Sequence, residues 1–503
     1  MIQSPSTGPT LVIRADPSRN VTRLFIPGRE EVGPGNSRAG VVIDRIMHMS
    51  EADIAETMDE ITGRFAHRHR NFDATLLQNA AAVDSRLDSG VVLSPARRRL
   101  IGACFTHEYS TESAALCNPS AVLAPTQSVT NDDPVASGDG GDGGEGDISF
   151  VMSVRGIGEG HRSSIGFRRG TLDRFGKLTV DEPGPFPVIA TTSPSRHRRR
   201  VFESMMSDSH EDAENSAFVL SSLPDEFNDA ELEERIALLA ADQTTRRGTE
   251  ATIASIRFVA SSSYAKCFEP ETDLSERVLW PHSPAESHGM EDARFVRFTH
   301  DDGSVSYLAT YTAFDGRIVA QHLLETKDFR LFDMSPLSGD AAVGKGLAIF
   351  PRKIQGRYAA LSRSDRETNT ITFAEHLNHW SDASTLQVPE ETWEIIQLGN
   401  CGSPIETDRG WLVLTHGVGL MRTYSLGVLL LDLENPEKVL ARSKKPILSP
   451  SEEHRNGYVP NVVYSCGGFA VGDTLVLPYG MSDQAIGVTT FSIDEILASL
   501  TAV

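Results

Sequence analysis

Gly289-Met290-Glu291-Asp292-Ala293-Arg294 sets two acids and a base at the head of a weak internal repeat. From Arg294 onward a short polar element followed by two or three β-rich runs recurs at 53 to 57 residues, marked by Pro351, Pro404 and Pro460. Periods of this size belong to propellers and solenoids, whose repeats bury their apolar faces by stacking on one another. Short strand-like runs fill the repeats: Tyr307–Thr312, Gly356–Leu361, Gly410–Thr415 and Asp473–Tyr479, several of them preceded by Gly or Asp turns. Repeat heads fall near Asn118-Pro119, Asp292–Arg294, Phe350-Pro351, Ser403-Pro404 and Val459-Pro460-Asn461. The expectation is an all-β core built as a five-bladed β-propeller with roughly four strands per blade. Periodicity alone leaves a β-sandwich open as the alternative.

Outside this pattern the chain changes character. Ser50-Glu51-Ala52-Asp53 reads as a helix start, and Ile54, Met58, Ile61 and Phe65 follow at three- and four-residue spacing. Further helices are expected over Leu76–Leu87 and from Ser94-Pro95-Ala96 to Ala103, with Pro in the first turn. The expected organisation is an N-terminal helical extension over 1–100 and a propeller over 101–503, interrupted by a helical insertion at about 195–252 that contains Asp229–Leu239. The stretch from Leu123 to Asp147, with glycines from Gly138 to Gly146, is too polar to bury anything and reads as a solvated loop. It lacks the ligand register of a calcium loop. Ile148–Arg155 alternates as a strand does, and Gly156-Ile157-Gly158-Glu159-Gly160 after it reads as a tight turn, since its spacing misses the dinucleotide pattern.

Charge and cysteine usage narrow the function. Lys plus Arg is 47 against 69 for Asp plus Glu, a net charge of −22 that would repel nucleic acid and an anionic membrane surface. Met1–Asn20 shows no basic start followed by an apolar run, and no stretch reaches the roughly 18 to 20 apolar residues of a membrane span. A soluble, cytoplasmic protein is expected. The five cysteines, Cys104, Cys117, Cys267, Cys401 and Cys466, form no Cys-x-x-Cys pair and read as reduced thiols. No metal is expected: His67 and His69 sit among Arg64, Arg68 and Arg70, which reads as a solvated basic face.

Arg155, Arg363, His416 and Asp483 each follow a buried-looking strand, and Asp292 and Lys345 lie at repeat heads. One acid, several cations and a second carboxylate suit a substrate that offers hydroxyls together with an anion. Each signal also has a structural reading: an ion pair of Asp292 with Arg294, a blade-to-blade ion pair at Arg155, and a turn at Ser482-Asp483.

The segments Gly289–Phe295, Ala348–Ile354, Leu361–Arg363, Gly410–Val418, Leu429–Pro436, Tyr458–Gly467 and Tyr479–Val488 resemble, in order, the signature segments of glycoside hydrolase family 130, the β-mannoside phosphorylases. The resemblance covers about residues 101 to 500 apart from the insertion. It implies a five-bladed propeller that cleaves β-mannosides, here β-1,2-manno-oligosaccharides, with inorganic phosphate as co-substrate to give α-mannose 1-phosphate with inversion. No cofactor is implied. Asp292 matches the general acid, Lys345, Arg363 and His416 the phosphate-binding groups, and Asn118, Arg155 and Asp483 the groups that hold mannose. Where many phosphorylases carry Lys about nineteen residues before that His, this chain has Gln397. A β-mannosidase on the same scaffold is therefore one alternative, and a non-catalytic glycan-binding propeller is another. The helical arm could join protomers into a homo-oligomer.

Overall fold

The computed structural model describes residues 7–8, 10–27, 38–87, 90–125, 147–193, 196–208, 213–242 and 246–503. Residues 126–146, which hold the polar, glycine-rich part of the expected solvated loop, lie outside them. Two compact units emerge. The smaller comprises Asp16–Ser113 with Gly184–Val188, and the larger holds the remaining described residues.

In the smaller unit, helices Arg38–Met47, Glu51–Phe65, Phe72–Ala81 and Pro95–Cys104 bury Ile43, Ile46, Ile54, Met58, Leu76, Leu100, Ile101 and Phe105 together. Two of the starts are capped as the sequence suggests: Ser50 accepts from the Asp53 amide, and Ser94 accepts from the Arg97 amide with Pro95 next to it. The third helix begins at Phe72, before the expected Leu76, and breaks into a short 3-10 turn at Asp84–Arg86. His69 corrects the expectation of a solvated basic face. The Glu51–Phe65 helix has already ended, and a 3-10 turn over Ala66–Arg68 swings the His69 ring inward. There it is 9% exposed, with Nε2 2.7 Å from a Glu108 carboxylate oxygen and its ring stacked on Phe72.

The larger unit is dominated by antiparallel sheet. One sheet runs Ala115–Leu123, Ile148–Ile157, Ser163–Leu172 and continues through the Ser163–Gly289 pair into Gly289–Thr299, Val305–Phe314, Val319–Thr326 and Leu331–Pro336. Gly289 has φ +147°, and a Cβ there would sit 2.8 Å from the Ser163 amide nitrogen, so only glycine lets these strands meet. A second sheet is Ala348–Ile349, Tyr358–Ser362, Asn369–Ala374 and Ala383–Gln387. A third sets Gln397–Asn400 and Ile405–Thr407 against Gly410–Val418, followed by Tyr424–Leu431 and Val439–Arg442. A fourth pairs Val463–Tyr464 and Phe469–Val471 with Thr474–Met481, then Ala485–Ser492, and closes with Leu11–Arg14 from the other end of the chain.

Period-2 alternation lets one strand serve two cores. Trp411 and Val413 pack with Phe350, Leu361 and Ile371 of the second sheet, while Leu412 and Leu414 pack with Val463, Leu475 and Leu477 of the fourth. Phe469, Val476 and Ile486 in turn pack with Leu116, Phe150 and Met152, and Val296, Phe298 and Leu308 with Ile349 and Ala360. Truncating a fully buried anchor such as Trp411 to Ala costs about 3–5 kcal/mol by loss of contacts and cavity formation.

Helices Arg199–Asp208, Ala213–Leu220, Asp229–Ala241 and Thr249–Ser261 interrupt the sheets and carry their own core of Phe202, Val219, Leu232, Ile236 and Ile256. The third is fixed by a capping box between Asn228 and Glu231. The fourth runs to Ser261, so the insertion extends beyond its expected end near residue 252. Among the described residues no helix is long and apolar enough to cross a membrane.

Candidate active site

Three of the candidate residues owe their aim to an uncommon backbone. Asn118, Asp292 and Asp483 have φ of +47°, +55° and +50°, in the left-handed region that costs non-glycine residues energy and that Asn and Asp tolerate best. Asn118 lies where register shifts between Cys117 and Ser120, and Asp292 where it shifts between Glu291 and Arg294. Such a bulge breaks the alternation of faces. As a result the neighbours Glu291 and Asp292 reach the same guanidinium: Arg155 donates to Glu291 Oε1 at 2.7 Å and to Asp292 Oδ1 at 3.1 Å. Asp483 sits in the turn between Thr474–Met481 and Ala485–Ser492.

Around Asp292 the partners are dense. Asn118 Nδ2 donates to Asp292 Oδ1 at 2.6 Å, and Arg155 Nε donates to Ser163 Oγ at 2.9 Å. Lys345 Nζ donates to Glu291 Oε2 at 2.6 Å, so Glu291 bridges two cations. The expected Asp292–Arg294 ion pair takes another form. Arg294 Nη1 donates to the Asp292 backbone carbonyl at 2.9 Å, leaving the carboxylate to Asn118 and Arg155. Arg294 Nε holds the Cys401 carbonyl at 2.9 Å and Nη2 the Tyr464 hydroxyl at 2.7 Å.

A second cluster adjoins through Tyr464, whose ring lies edge-on to His416 at 4.9 Å between centroids. Arg363 Nη1 donates to His416 Nε2 at 2.8 Å, which requires the imidazole to be neutral and to accept at that nitrogen. Gly399, paired with His416 across the sheet, makes this approach possible. A Cβ there would lie 2.7 Å from His416 Cε1 and 2.8 Å from Arg363 Cδ. Gln397, two residues earlier in the same strand, shares that face.

Electrostatics separate the groups. Burial favours the protonated form of Asp292, but the charges of Arg155, Lys345 and Arg294 outweigh it and hold the carboxyl well below its ordinary range. Asp483 is different: burial, with the nearby Asp292 charge adding to it against Arg155, raises it to about 6. Burial, then Arg363 and Arg294, push His416 well below the usual imidazole value, in keeping with its role as acceptor. The Cys401 and Cys117 thiols are unsuited to nucleophilic work, since burial drives Cys401 up to about 12 and raises Cys117 well above its ordinary value. Among the described residues no group of three or more His, Cys, Asp or Glu side chains is placed to hold a metal ion.

All seven candidates thus fall into two linked clusters. Asn118, Arg155, Asp292 and Lys345 join directly or through Glu291, and the charge of Asp483 acts on the first cluster; Arg363 and His416 form the second, and Arg294 with Tyr464 spans the two. The sequence assigns no part to Glu291 or Tyr464, and to Arg294 only that of a partner for Asp292, although all three lie within its motif segments.

A buried carboxylate fixed by an amide and a guanidinium, beside an arginine–histidine pair, offers a polar substrate both hydrogen-bond partners and positive charge. The family model described as beta-1,4-mannooligosaccharide phosphorylase, that of glycoside hydrolase family 130, matches residues 251–502, half of the chain. A 1,2-beta-oligomannan phosphorylase of Thermoanaerobacter sp. (strain X514) is 35% identical over 228 residues, 44% of this chain and 75% of the relative. A beta-1,2-mannobiose phosphorylase of the same organism is 34% identical over 263 residues, 49% of this chain and 82% of the relative. The solved structure of the beta-1,2-mannobiose phosphorylase from Listeria innocua aligns over 78% of this chain and 92% of its own, with 21% identity and a TM-score of 0.43. The chain belongs to glycoside hydrolase family 130.

Proposed function

We propose that this protein is an inverting β-mannoside phosphorylase that cleaves β-1,2-linked manno-oligosaccharides with inorganic phosphate and releases α-mannose 1-phosphate. The observation that carries the proposal is the pair of linked clusters, one built on Asp292 and the other on Arg363 and His416. In this reading Asn118, Arg155 and Asp483 hold the hydroxyls of the mannose being transferred. Lys345, Arg363 and His416 receive phosphate. A phosphate oxygen bonds to the anomeric carbon as the glycosidic C–O bond breaks, and a proton from Asp292, relayed through a mannose hydroxyl, goes to the departing oxygen. No cofactor beyond phosphate enters the reaction.

The depressed Asp292 supports an ordered requirement. Before phosphate binds its carboxyl is ionised, because three cations act on it. A phosphate dianion beside Lys345 offsets part of that field and raises the proton affinity of Asp292, so the acid arms when the nucleophile binds. We further propose that the sheets form five blades of a propeller. The succession of inter-sheet cores supports this arrangement, as does the pairing of Leu11–Arg14 with Ala485–Ser492 near the other end of the chain.

The test is product analysis. Incubation with β-1,2-mannobiose is expected to yield α-mannose 1-phosphate only when phosphate is present. Gln397, neutral on the face beside Arg363 and His416, favours a second reading, a β-mannosidase that uses water. Free mannose released at the same rate in phosphate-free buffer would establish the second reading and remove the first.

A further inference from the structure

Two hairpins leave this site with the same loop. The one after Arg155 runs Gly158-Glu159-Gly160-His161-Arg162, and the one after His416 runs Gly419-Leu420-Met421-Arg422-Thr423. In both, an extended glycine precedes the tip, its amide donates to the carbonyl four residues on, and two successive residues are left-handed. These are Gly160 and His161 at φ +66° and +57°, and Met421 and Arg422 both at +56°. Only one of the four is glycine, so three side chains are held in a conformation that costs energy on solvent-exposed tips.

The first tip is braced from another part of the chain. Tyr458 Oη and His161 Nδ1 lie 2.7 Å apart, and the two rings are 5.9 Å apart between centroids, tilted by 39°. Both ends of this pair lead back to the mannose-holding groups. The residue after Tyr458, Val459, donates its amide to the Ser482 carbonyl at 2.9 Å, next to Asp483. Two residues after His161, Ser163 accepts from Arg155. Yet the Tyr458 side chain is not itself buried: the residue remains 43% exposed. An exposed aromatic ring, oriented by its hydroxyl and anchored beside buried sugar-binding groups, offers an apolar face with a polar handle, which suits the face of a pyranose.

We propose that Tyr458, oriented by His161, forms the subsite for the leaving-group sugar, the unit that departs when the mannosidic bond is cut. The proposal rests on the phosphorylase reading of the site for its reaction, but its binding prediction stands without turnover. Asp292 and Arg155 lie at the buried end and take the transferred mannose, and Tyr458 lies one residue from the backbone that anchors the Asp483 turn, on the side open to solvent. In this proposal the second sugar unit of a disaccharide meets Tyr458, and a single transferred mannose does not.

The experiment is calorimetric titration with mannose and with β-1,2-mannobiose, performed on Asp292→Asn protein so that the sugar is not consumed. Tyr458→Ala should weaken mannobiose about tenfold and leave mannose within about twofold, the scale of one aromatic contact. Tyr458→Phe should keep most of the mannobiose preference, because it keeps the ring. Equal weakening of both sugars, no change in either, or Phe behaving as Ala would overturn the proposal, the last because it would show that the ring contributes nothing of its own to sugar binding. In the turnover assay of the otherwise unsubstituted protein, Tyr458→Ala should raise KM for the acceptor sugar in synthesis while leaving KM for mannose 1-phosphate unchanged. Absence of phosphate-dependent turnover in the unsubstituted protein would count against the phosphorylase reading, whereas the sugar titration alone decides the subsite.

Discussion

Asp483→Asn should make the protein more stable near neutral pH while impairing its activity. The rise of this carboxyl from an ordinary 3.8 to about 6 means that the folded state holds its proton more tightly than the unfolded chain does. Between those two values the folded protein binds more protons, so its stability falls as pH rises through that window. A rise of that size corresponds to about 3 kcal/mol, fully expressed above the folded value. Asn has the same shape and no charge to desolvate, so the variant escapes the loss. The advantage of Asn over Asp should therefore be small at pH 4, grow between pH 4 and 6, and level off by pH 7. With an unfolding entropy of about 2.1 cal/mol/K per residue, 3 kcal/mol corresponds to roughly 3 to 4 °C in Tm for a unit of roughly 400 residues. The assay is the difference in Tm between the two proteins across that pH range. A flat difference, or an Asn variant that loses ground as pH rises, would show that Asp483 is not held above its ordinary value and that its burial beside Asp292 has been misjudged.

Asp292→Asn removes the carboxylate that Asn118 holds, and phosphorolysis of β-1,2-mannobiose should fall by about 10³-fold or more, read as mannose 1-phosphate released. Lys345→Met deletes one proposed phosphate contact and the second partner of Glu291; KM for phosphate should rise about tenfold, with a smaller change in KM for mannobiose. Gly399→Ala forces His416 and Arg363 apart, so initial rates against phosphate should show a KM increase larger than the loss in kcat, with Tm lowered by the same crowding.

Much of this architecture can be read in the chain because it rests on period-2 alternation and turn chemistry, which are local. Ser50, Ser94 and the Asn228–Glu231 pair cap helices through contacts three residues away. The Thr249–Ser261 helix is harder to see past Thr252, since Ile253, Ile256 and Val259 face the helical core at helical spacing but are β-branched, a residue type that also favours strands. His69 escapes the sequence for a related reason. Its burial follows from a 3-10 turn and from Glu108, 39 residues away, neither of which its basic neighbours reveal.

The site shows the same division more sharply. A regular strand would turn Glu291 and Asp292 to opposite faces, so alternation admits only one of them to a pocket. The bulge between Glu291 and Arg294 removes that exclusion, and the pair closes on Arg155 from one side while Lys345 takes the remaining Glu291 oxygen. Through that geometry Glu291 pairs with both Arg155 and Lys345, while Asp292 supplies the second negative charge beside Arg155. In the proposed reaction, Lys345 can turn to the incoming phosphate only by weakening its bond to Glu291, and Glu291 then remains with Arg155. The exchange keeps each charge partnered throughout, which a buried site requires because an unpaired charge there costs several kcal/mol. Residues that move charge in this way are invisible to a search for acids and cations taken one at a time; they follow from the backbone irregularity that brings them together.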